Sequence, residues 1–188
     1  ARAGALLPNR TLGVMGVGGL GAYAVQYAKL LGAGATVVAF ARTDAKLELA
    51  KRHGADHVIN TRDKSLEDVR KELARLTGKG EIDAAIDCVG AKSGLELGFG
   101  LLATEGAYCS VGLVGTRIDI PLFPFVAREY TYFGSFWGNT EDLSEVITLA
   151  ERGAIQHQID RIKLDDVNET LTRLGKGDIL GRAVIVYD

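Results

Sequence analysis

A glycine-rich turn near the start of the chain carries the strongest chemical signal in the sequence. Gly16, Gly18 and Gly21 stand in the pattern G-x-G-x-x-G, after an apolar run and before a segment of helical periodicity. The first glycine permits a tight turn, the second lets the backbone approach a pyrophosphate, and the third lets helix pack against strand. Amide groups at the helix N-terminus and the helix dipole then attract negative charge. The pattern predicts a dinucleotide site.

The expected end of the second strand indicates which dinucleotide is bound. An acid usually stands about 20 residues after the glycines and accepts a hydrogen bond from the ribose 2′-hydroxyl. Here Ala41 stands in that place and is followed by Arg42 and Thr43, which can hold a 2′-phosphate through charge-assisted hydrogen bonds. Asp44 opens the next helix and is predicted to be its N-cap. The sequence favours NADP(H), with NAD(H) as the alternative, and places Lys46 within reach of the ribose or adenine.

Three other readings of the glycines find no support in the sequence. A short-chain dehydrogenase needs Tyr-x-x-x-Lys, and no tyrosine here has a lysine four residues later. A methyltransferase usually has an acid just before its glycine loop, where this chain has Val14 and Met15. The phosphate-binding pattern G-x-x-x-x-G-K-[ST] is absent, so nucleotide triphosphate hydrolysis is not indicated.

Residues that could act directly in catalysis or hold a metal are few. The three histidines, His53, His57 and His157, have no metal-ligand spacing with Cys, Asp or Glu. Cys88 follows an apolar run at the predicted crevice, and a buried structural thiol is the expected state. We therefore predict no catalytic residue and no metal ligand in this chain.

Composition excludes some classes of function. The chain has 188 residues and a formal net charge of −2, so no basic surface for nucleic acid is expected. Residues 11–28 carry no charge, but they include five glycines and do not resemble a membrane span. Cys88 and Cys109 are isolated within apolar runs, which is typical of a reducing compartment and predicts a cytoplasmic protein.

Apolar runs alternate with helical segments along most of the chain. Predicted strands are 12–17, 36–40, 57–60, 82–88, 107–113 and 130–136. Predicted helices include a first one whose apolar stripe is Leu20, Ala24, Tyr27, Ala28 and Leu31, a second at 44–53, and a third closed by Gly78. Such alternation predicts a doubly wound α/β fold of the Rossmann type, a parallel sheet with helices on both faces.

The residues after Gly153 follow a different pattern. A strand at 158–164, a helix over 164–174 and a strand at 183–187 predict a strand-helix-strand appendage. We therefore predict a dinucleotide-binding domain at 1–153 and a C-terminal segment at 154–188. The pattern leaves open whether this segment extends the sheet or forms another layer.

The chain resembles the zinc-type alcohol dehydrogenases of the medium-chain dehydrogenase/reductase superfamily. The similarity is carried by several motifs in the family's order, and it covers only the second half of the family pattern. The motifs are Gly16-Val17-Gly18-Gly19-Leu20-Gly21, Lys46-Leu47-x-Leu49-Ala50, Gly54-Ala55-Asp56-His57-Val58-Ile59-Asn60, Asp87-Cys88-Val89-Gly90, Ser110-Val111-Gly112 and Gly181-Arg182.

The resemblance implies a role for each part of the predicted site. Gly16, Gly18, Gly19 and Leu20 would cradle the pyrophosphate, with Arg182 neutralising it, and Arg42, Thr43 and Lys46 would surround the adenosine ribose. Cys88, Val89 and Gly90 would border the adenosine, while the backbone of Val111, Gly112, Leu113, Ser135, Phe136 and Trp137 would hold the nicotinamide carboxamide. It also implies a homodimer joined through the strand Tyr130–Phe136.

The implied activity is that of an NAD(P)-dependent alcohol or aldehyde oxidoreductase acting on a small alcohol or carbonyl compound. Zinc and most substrate contacts would come from an N-terminal catalytic domain outside these residues, so the chain alone is expected to bind cofactor without turnover. Two alternatives remain. One is a zinc-free quinone or enoyl reductase of the same superfamily, and the other is a non-enzymatic module that senses the dinucleotide.

Overall fold

A six-stranded parallel sheet forms the centre of the molecule. The computed structural model describes residues 7–115 and 117–187. The strands are β1 Thr11–Met15, β2 Thr36–Ala41, β3 His57–Asn60, β4 Ile82–Asp87, β5 Leu102–Ser110 and β6 Thr131–Gly134. The helices between and after them are α1 Gly21–Leu31, α2 Asp44–Arg52, α3 Leu66–Thr77, α4 Lys92–Leu101, α5 Leu122–Ala127 and α6 Thr140–Glu151. The strand order β3-β2-β1-β4-β5-β6 is that of a doubly wound fold and confirms the predicted fold class.

Neighbouring residues of β2 show how the sheet is buried on both faces. Val37 and Ala39 belong to one apolar cluster, which includes residues of α1 and α2. Val38 and Phe40 belong to a second cluster, which includes residues of α3 and α4. Successive side chains of a strand point to opposite faces, so the unbroken apolar run at β2 serves two cores.

The face that α1 buries agrees only in part with the predicted stripe, of which Ala28 is buried and Ala24 packs against the core. Leu20 precedes the helix and Leu31 ends it, and both are exposed, whereas Ala22, Val25 and Gln26 are buried. Small residues dominate this face because α1 lies close against the sheet. Gln26 adds a polar group that periodicity does not identify as a core residue, and its side chain is hydrogen-bonded to the later chain.

The other helix and strand limits agree with the sequence to different degrees. Strand β3 has the predicted bounds, and α3 ends at Gly78, whose φ of 76° is the left-handed cap expected there. Strand β5 begins five residues before the predicted 107 and ends at Ser110. It stops there because the amide groups of Val111 and Gly112 both turn to the Asp87 carbonyl.

The C-terminal segment forms a layer of its own. Strands β7 Ile159–Ile162 and β8 Arg182–Ile185 pair in parallel as a separate two-stranded sheet. They are joined by a 3₁₀ turn and by helix α7, Val167–Lys176. Ile155 and Ile179 anchor the segment, being only 3% and 5% exposed. None of the described helices combines the length and apolar character needed to span a bilayer.

Candidate dinucleotide site

A crevice of about 800 Å³ opens at the carboxyl edge of the six-stranded sheet. It lies where the chain order reverses between β1 and β4, the point at which doubly wound sheets bind ligands. Turns after the first five strands and the start of α4 form its walls. The lining residues include Met15, Gly16, Val17, Gly18, Ala41, Arg42, Lys46, Thr61, Asp63, Lys64, Asp87, Cys88, Val89, Ala91, Ser93 and Val114.

Each of the three motif glycines has a different surrounding. A Cβ on Gly16, whose φ is +84°, would lie 2.2 Å from a methyl group of Val89. On Gly21 it would lie 1.8 Å from the carbonyl oxygen of Gly16, so no side chain fits between turn and helix. A Cβ on Gly18 would meet no atom of the described chain within 4 Å. Gly16 and Gly21 therefore close the turn, while Gly18 leaves open space where a pyrophosphate could approach the backbone.

The N-terminus of α1 remains available to an anion. Helix α1 begins after Leu20, with no side-chain cap among the described residues and no acidic residue in its first turn. Orphan amide groups at such an end favour negative charge. Arg182 adds a formal positive charge here, since its Nε lies 2.8 Å from the position of a Cβ on Gly19. The appendage thus brings an arginine to the glycine turn from more than 160 residues away in sequence.

The turn after β2 carries positively charged side chains and lacks the acid that usually binds the ribose. Ala41 is buried, and both Arg42 and Lys46 line the crevice. Neither side chain forms an ion pair or hydrogen bond within residues 7–115 and 117–187. Lys46 Nζ is also 3.5 Å from the position of a Cβ on Gly177, at the end of α7. Unpaired cations in a crevice create an electrostatic preference for an anion.

The predicted cap of α2 was wrong by one residue. Thr43 takes the N-cap position with extended backbone, although its side chain makes no capping hydrogen bond in the described structure. Asp44 is the first helical residue, and its Oδ1 accepts a hydrogen bond of 2.8 Å from Asn60 Nδ2. This hydrogen bond holds the Asp44 carboxylate at the end of β3, which lies beside β2 in the sheet.

Sequence reasoning missed the turn after β3. Thr61, Asp63 and Lys64 line the crevice, and the amide of Thr61 donates to the Ala41 carbonyl at 2.9 Å. Lys64 is paired with Glu72, and Asp63 has a φ of 57°. The sequence could have identified this turn, because β3 was predicted correctly and the carboxyl ends of neighbouring parallel strands meet at one edge of the sheet.

The turns after β4 and β5 are held together by Asp87. Its buried Oδ1 accepts hydrogen bonds of 2.9 Å from the amides of Val89 and Gly90. Its backbone carbonyl accepts from Val111 and Gly112, also at 2.9 Å. A Cβ on Gly90 would lie 2.1 Å from the carbonyl oxygen of Gly112, so the two turns are in direct backbone contact.

Cys88 has the properties of an inert thiol. Burial, with a smaller contribution from the Asp87 carboxylate, raises its pKa to about 12. The thiolate is the reactive form of cysteine, so Cys88 remains protonated and non-nucleophilic near neutral pH. Cys109 is also a free thiol, and burial raises its pKa as well.

The predicted nicotinamide-side residues are at the same edge of the sheet but do not line the crevice. The amide of Ser135 donates to the Ser110 carbonyl at 2.9 Å, which continues the β5–β6 pairing. Leu113, Phe136 and Trp137 are 75%, 74% and 85% exposed. They form an exposed apolar rim after the carboxyl ends of β5 and β6, and Trp137 has a φ of 55°.

The histidines do not form a chemical centre. His53 is buried at the end of α2, and desolvation lowers its pKa. His157 Nδ1 is 2.7 Å from the hydroxyl of Tyr23 in an exposed contact between α1 and the appendage. The described residues contain no group of three or more His, Cys, Asp or Glu side chains that could hold a metal.

Similarity to known proteins agrees with this geometry. The family model described as zinc-binding dehydrogenase matches residues 19–152. An NAD-dependent alcohol dehydrogenase of Saccharolobus solfataricus is 35% identical over 187 residues, covering 98% of this chain and 53% of that protein. A D-arabinose 1-dehydrogenase (NADP(+)) of the same organism is 34% identical over 172 residues, covering 92% and 48%.

A solved structure gives the same result. The alcohol dehydrogenase of Aeropyrum pernix is 37% identical and superposes with a TM-score of 0.88, covering 96% of this chain and 51% of that one. The chain thus spans about half the length of the curated relatives it matches. With the family model matched over most of its length and this fold, the chain belongs to the zinc-binding dehydrogenase family.

Proposed function

We propose that this chain is the cofactor-binding part of an alcohol or aldehyde oxidoreductase, and that it binds NADP(H) in preference to NAD(H). The observation that carries the proposal is the crevice at the switch point. There Gly18 faces open space, Arg182 lies against Gly19, and Arg42 and Lys46 have no anionic partner in the described residues. Both the chemistry of the walls and the relatives' printed activities support a dinucleotide ligand.

The parts of the dinucleotide are assigned by charge and space. The pyrophosphate lies over Gly18, Gly19 and Leu20, with the α1 N-terminus and Arg182 supplying positive charge. The adenosine is bordered by the turn after β4, at Cys88, Val89 and Gly90. Its ribose lies beside Arg42, Thr43 and Lys46, where the missing acid removes the usual partner of a free 2′-hydroxyl.

The nicotinamide is placed at the carboxyl ends of β5 and β6. Backbone groups of Val111–Leu113 and Ser135–Trp137 hold its carboxamide in this proposal. When bound, the cofactor supplies or accepts a hydride. The substrate is a small alcohol or carbonyl compound, and zinc belongs to the half of the whole enzyme that these residues do not span. Reduced thiols at Cys88 and Cys109 suit a cytoplasmic protein.

The family resemblance also supports a homodimer joined through β6. This strand is at the edge of the sheet, so one side of its backbone has no partner strand in the described chain. Open edges invite pairing with a second copy. Sedimentation velocity of the chain measures this, with a dimer expected and a monomer at all accessible concentrations contradicting it.

Calorimetric titration with NADPH and NADH at one ionic strength tests the cofactor assignment. We expect tighter binding of NADPH, and a loss of about tenfold to a hundredfold in its affinity on Arg42→Ala, as for one charged hydrogen-bonding group. NADH affinity should change little in that variant. Arg75→Ala is the matched control, because Arg75 is exposed and lies nine residues, or about 13 Å of helix rise, beyond the crevice-lining residue Leu66.

Other outcomes separate the parts of the proposal. Equal binding of NADPH and NADH would retain the dinucleotide site and reject the 2′-phosphate assignment. Binding of neither would reject the site in this chain.

A further inference from the structure

The side chain of Arg62 is hydrogen-bonded to the backbone of Arg42. Arg62 follows the end of β3, and its Nε donates a hydrogen bond of 2.9 Å to the backbone carbonyl of Arg42. Its own amide donates to Asn60 Oδ1, also at 2.9 Å. Its chain neighbours Thr61 and Asp63 line the crevice, and Arg62 is exposed between them. Backbone and side chain are both tied to the turn that replaces the usual ribose acid.

The acid at the start of α2 is engaged by a residue of β3. Asp44 is the acidic residue in the first turn of α2, and its Oδ1 accepts from Asn60 Nδ2 at 2.8 Å. Asn60 thus bridges Asp44 and the Arg62 amide with its two ends. Neither Arg42 nor Arg62 forms an ion pair in the described part of the chain. Two arginines from adjacent strand ends therefore meet at this edge of the sheet, and neither is paired with the crevice-lining carboxylate of Asp63.

The hydrogen bond from Nε determines what Arg62 can still bind. It leaves the two terminal nitrogens of the guanidinium, which form a planar pair that matches two oxygens of a phosphate. Holding Nε on a backbone carbonyl also orders the side chain before a ligand arrives, which reduces the conformational entropy lost on binding.

We propose that Arg62 is a specificity-determining residue that grips the 2′-phosphate of NADP(H) together with Arg42. This rests on the proposed function, since it assumes the adenosine ribose lies at the turn after β2. Arg42 approaches the phosphate from β2 and Arg62 from β3. The clamp discriminates against NAD(H), which has a hydroxyl in place of the doubly charged group.

The test uses two ligands that differ only in the 2′-phosphate. Adenosine 2′,5′-bisphosphate and adenosine 5′-monophosphate are titrated calorimetrically into the full chain and its variants. We expect Arg62→Ala to weaken the bisphosphate about tenfold, the scale of one charged hydrogen-bonding group, and to change the monophosphate by less than about twofold. Arg62→Gln keeps a donor that can reach the Arg42 carbonyl but removes the charge, so it should behave like Arg62→Ala. Arg75→Ala again serves as the matched control.

The outcomes distinguish the clamp from the proposed function. If Arg62→Ala weakens both ligands equally and Arg62→Gln restores them, Arg62 only supports the turn and the inference is overturned. If Arg42→Ala removes the preference for the bisphosphate while Arg62→Ala leaves it intact, the clamp is wrong and the proposed function stands. If the unmodified chain binds both ligands equally, the 2′-phosphate assignment fails and the clamp with it.

Discussion

The two halves of the six-stranded sheet are covered very differently. Helices α1 to α4 each bury at least two residues against β1 to β5. Helices α5 and α6, which precede and follow β6 in the chain, bury none. The dinucleotide crevice belongs to the packed half, while the half that would hold the nicotinamide presents Phe123, Phe136 and Trp137 to solvent. Large exposed apolar groups of this kind mark surfaces that pack against another protein surface.

This difference indicates that the crevice is formed by contacts within this chain. Its turns are fixed by hydrogen bonds and backbone contacts within the chain, such as those of Asp87. The rim at the ends of β5 and β6 has fixed backbone but uncovered side chains. Binding of the adenosine part is therefore the property that this chain should retain by itself.

The largest effect is expected in the packed half. Leu73 of α3 is fully buried, and Leu73→Ala should lower the free energy of unfolding by about 2–5 kcal/mol through lost burial and a cavity. Urea denaturation followed by circular dichroism measures this loss. A loss below about 1 kcal/mol would mean that α3 is not held as tightly as its burial indicates.

A second prediction separates structure from binding within the glycine turn. Gly21→Ala should cost about 3 kcal/mol, the upper range for overpacking, because its Cβ would meet the Gly16 carbonyl. Gly18→Ala should change stability by less than about 0.5 kcal/mol, since its Cβ points to open space, yet it should weaken dinucleotide binding. Denaturation and calorimetric titration of both variants provide the comparison. Equal loss of stability in the two would contradict the different roles.

The smallest effect is expected in the uncovered half. Phe123 of α5 is 82% exposed, so Phe123→Ser should change the free energy of unfolding of the monomer by about 0.5 kcal/mol or less. Urea denaturation at low protein concentration measures it beside Leu73→Ala. A cost like that of Leu73→Ala would show that α5 is already packed in solution.

In the packed half of the molecule, the sequence predicted the limits of several strands and helices but not the contacts that depend on distant residues. Strand β3 and the end of α3 were placed to the residue, since short apolar runs and a C-terminal glycine are local signals. The buried face of α1 was predicted only in part: Ala28 is buried as expected, but the burial of Gln26 depends on hydrogen bonds to the distant appendage. The place of that appendage could not be predicted either, since strand pairing depends on contacts far apart in sequence.

The candidate site divides in the same way. The glycine turn was found from spacing alone, and the cations after β2 from the missing acid. The crevice-lining residues after β3, such as Thr61 and Asp63, were missed because no motif marks them and only the sheet order brings this turn beside Arg42. A short sequence pattern is enough to identify a turn, whereas the residues that an adjacent strand brings beside it can be identified only when the strand order is known.

The amide of Gln26 has a consequence for folding during synthesis. Its Nε2 donates to the carbonyl of Gln156, 130 residues later, and its Oε1 accepts from the amide of the same residue. A ribosome adds about 5–20 residues per second, so roughly 10 s pass between the synthesis of Gln26 and that of Gln156. Until then a polar group destined for burial remains hydrated beside the first βαβ unit. Docking of the appendage is thus a late event, and the nascent chain can form the glycine turn before Arg182 reaches it.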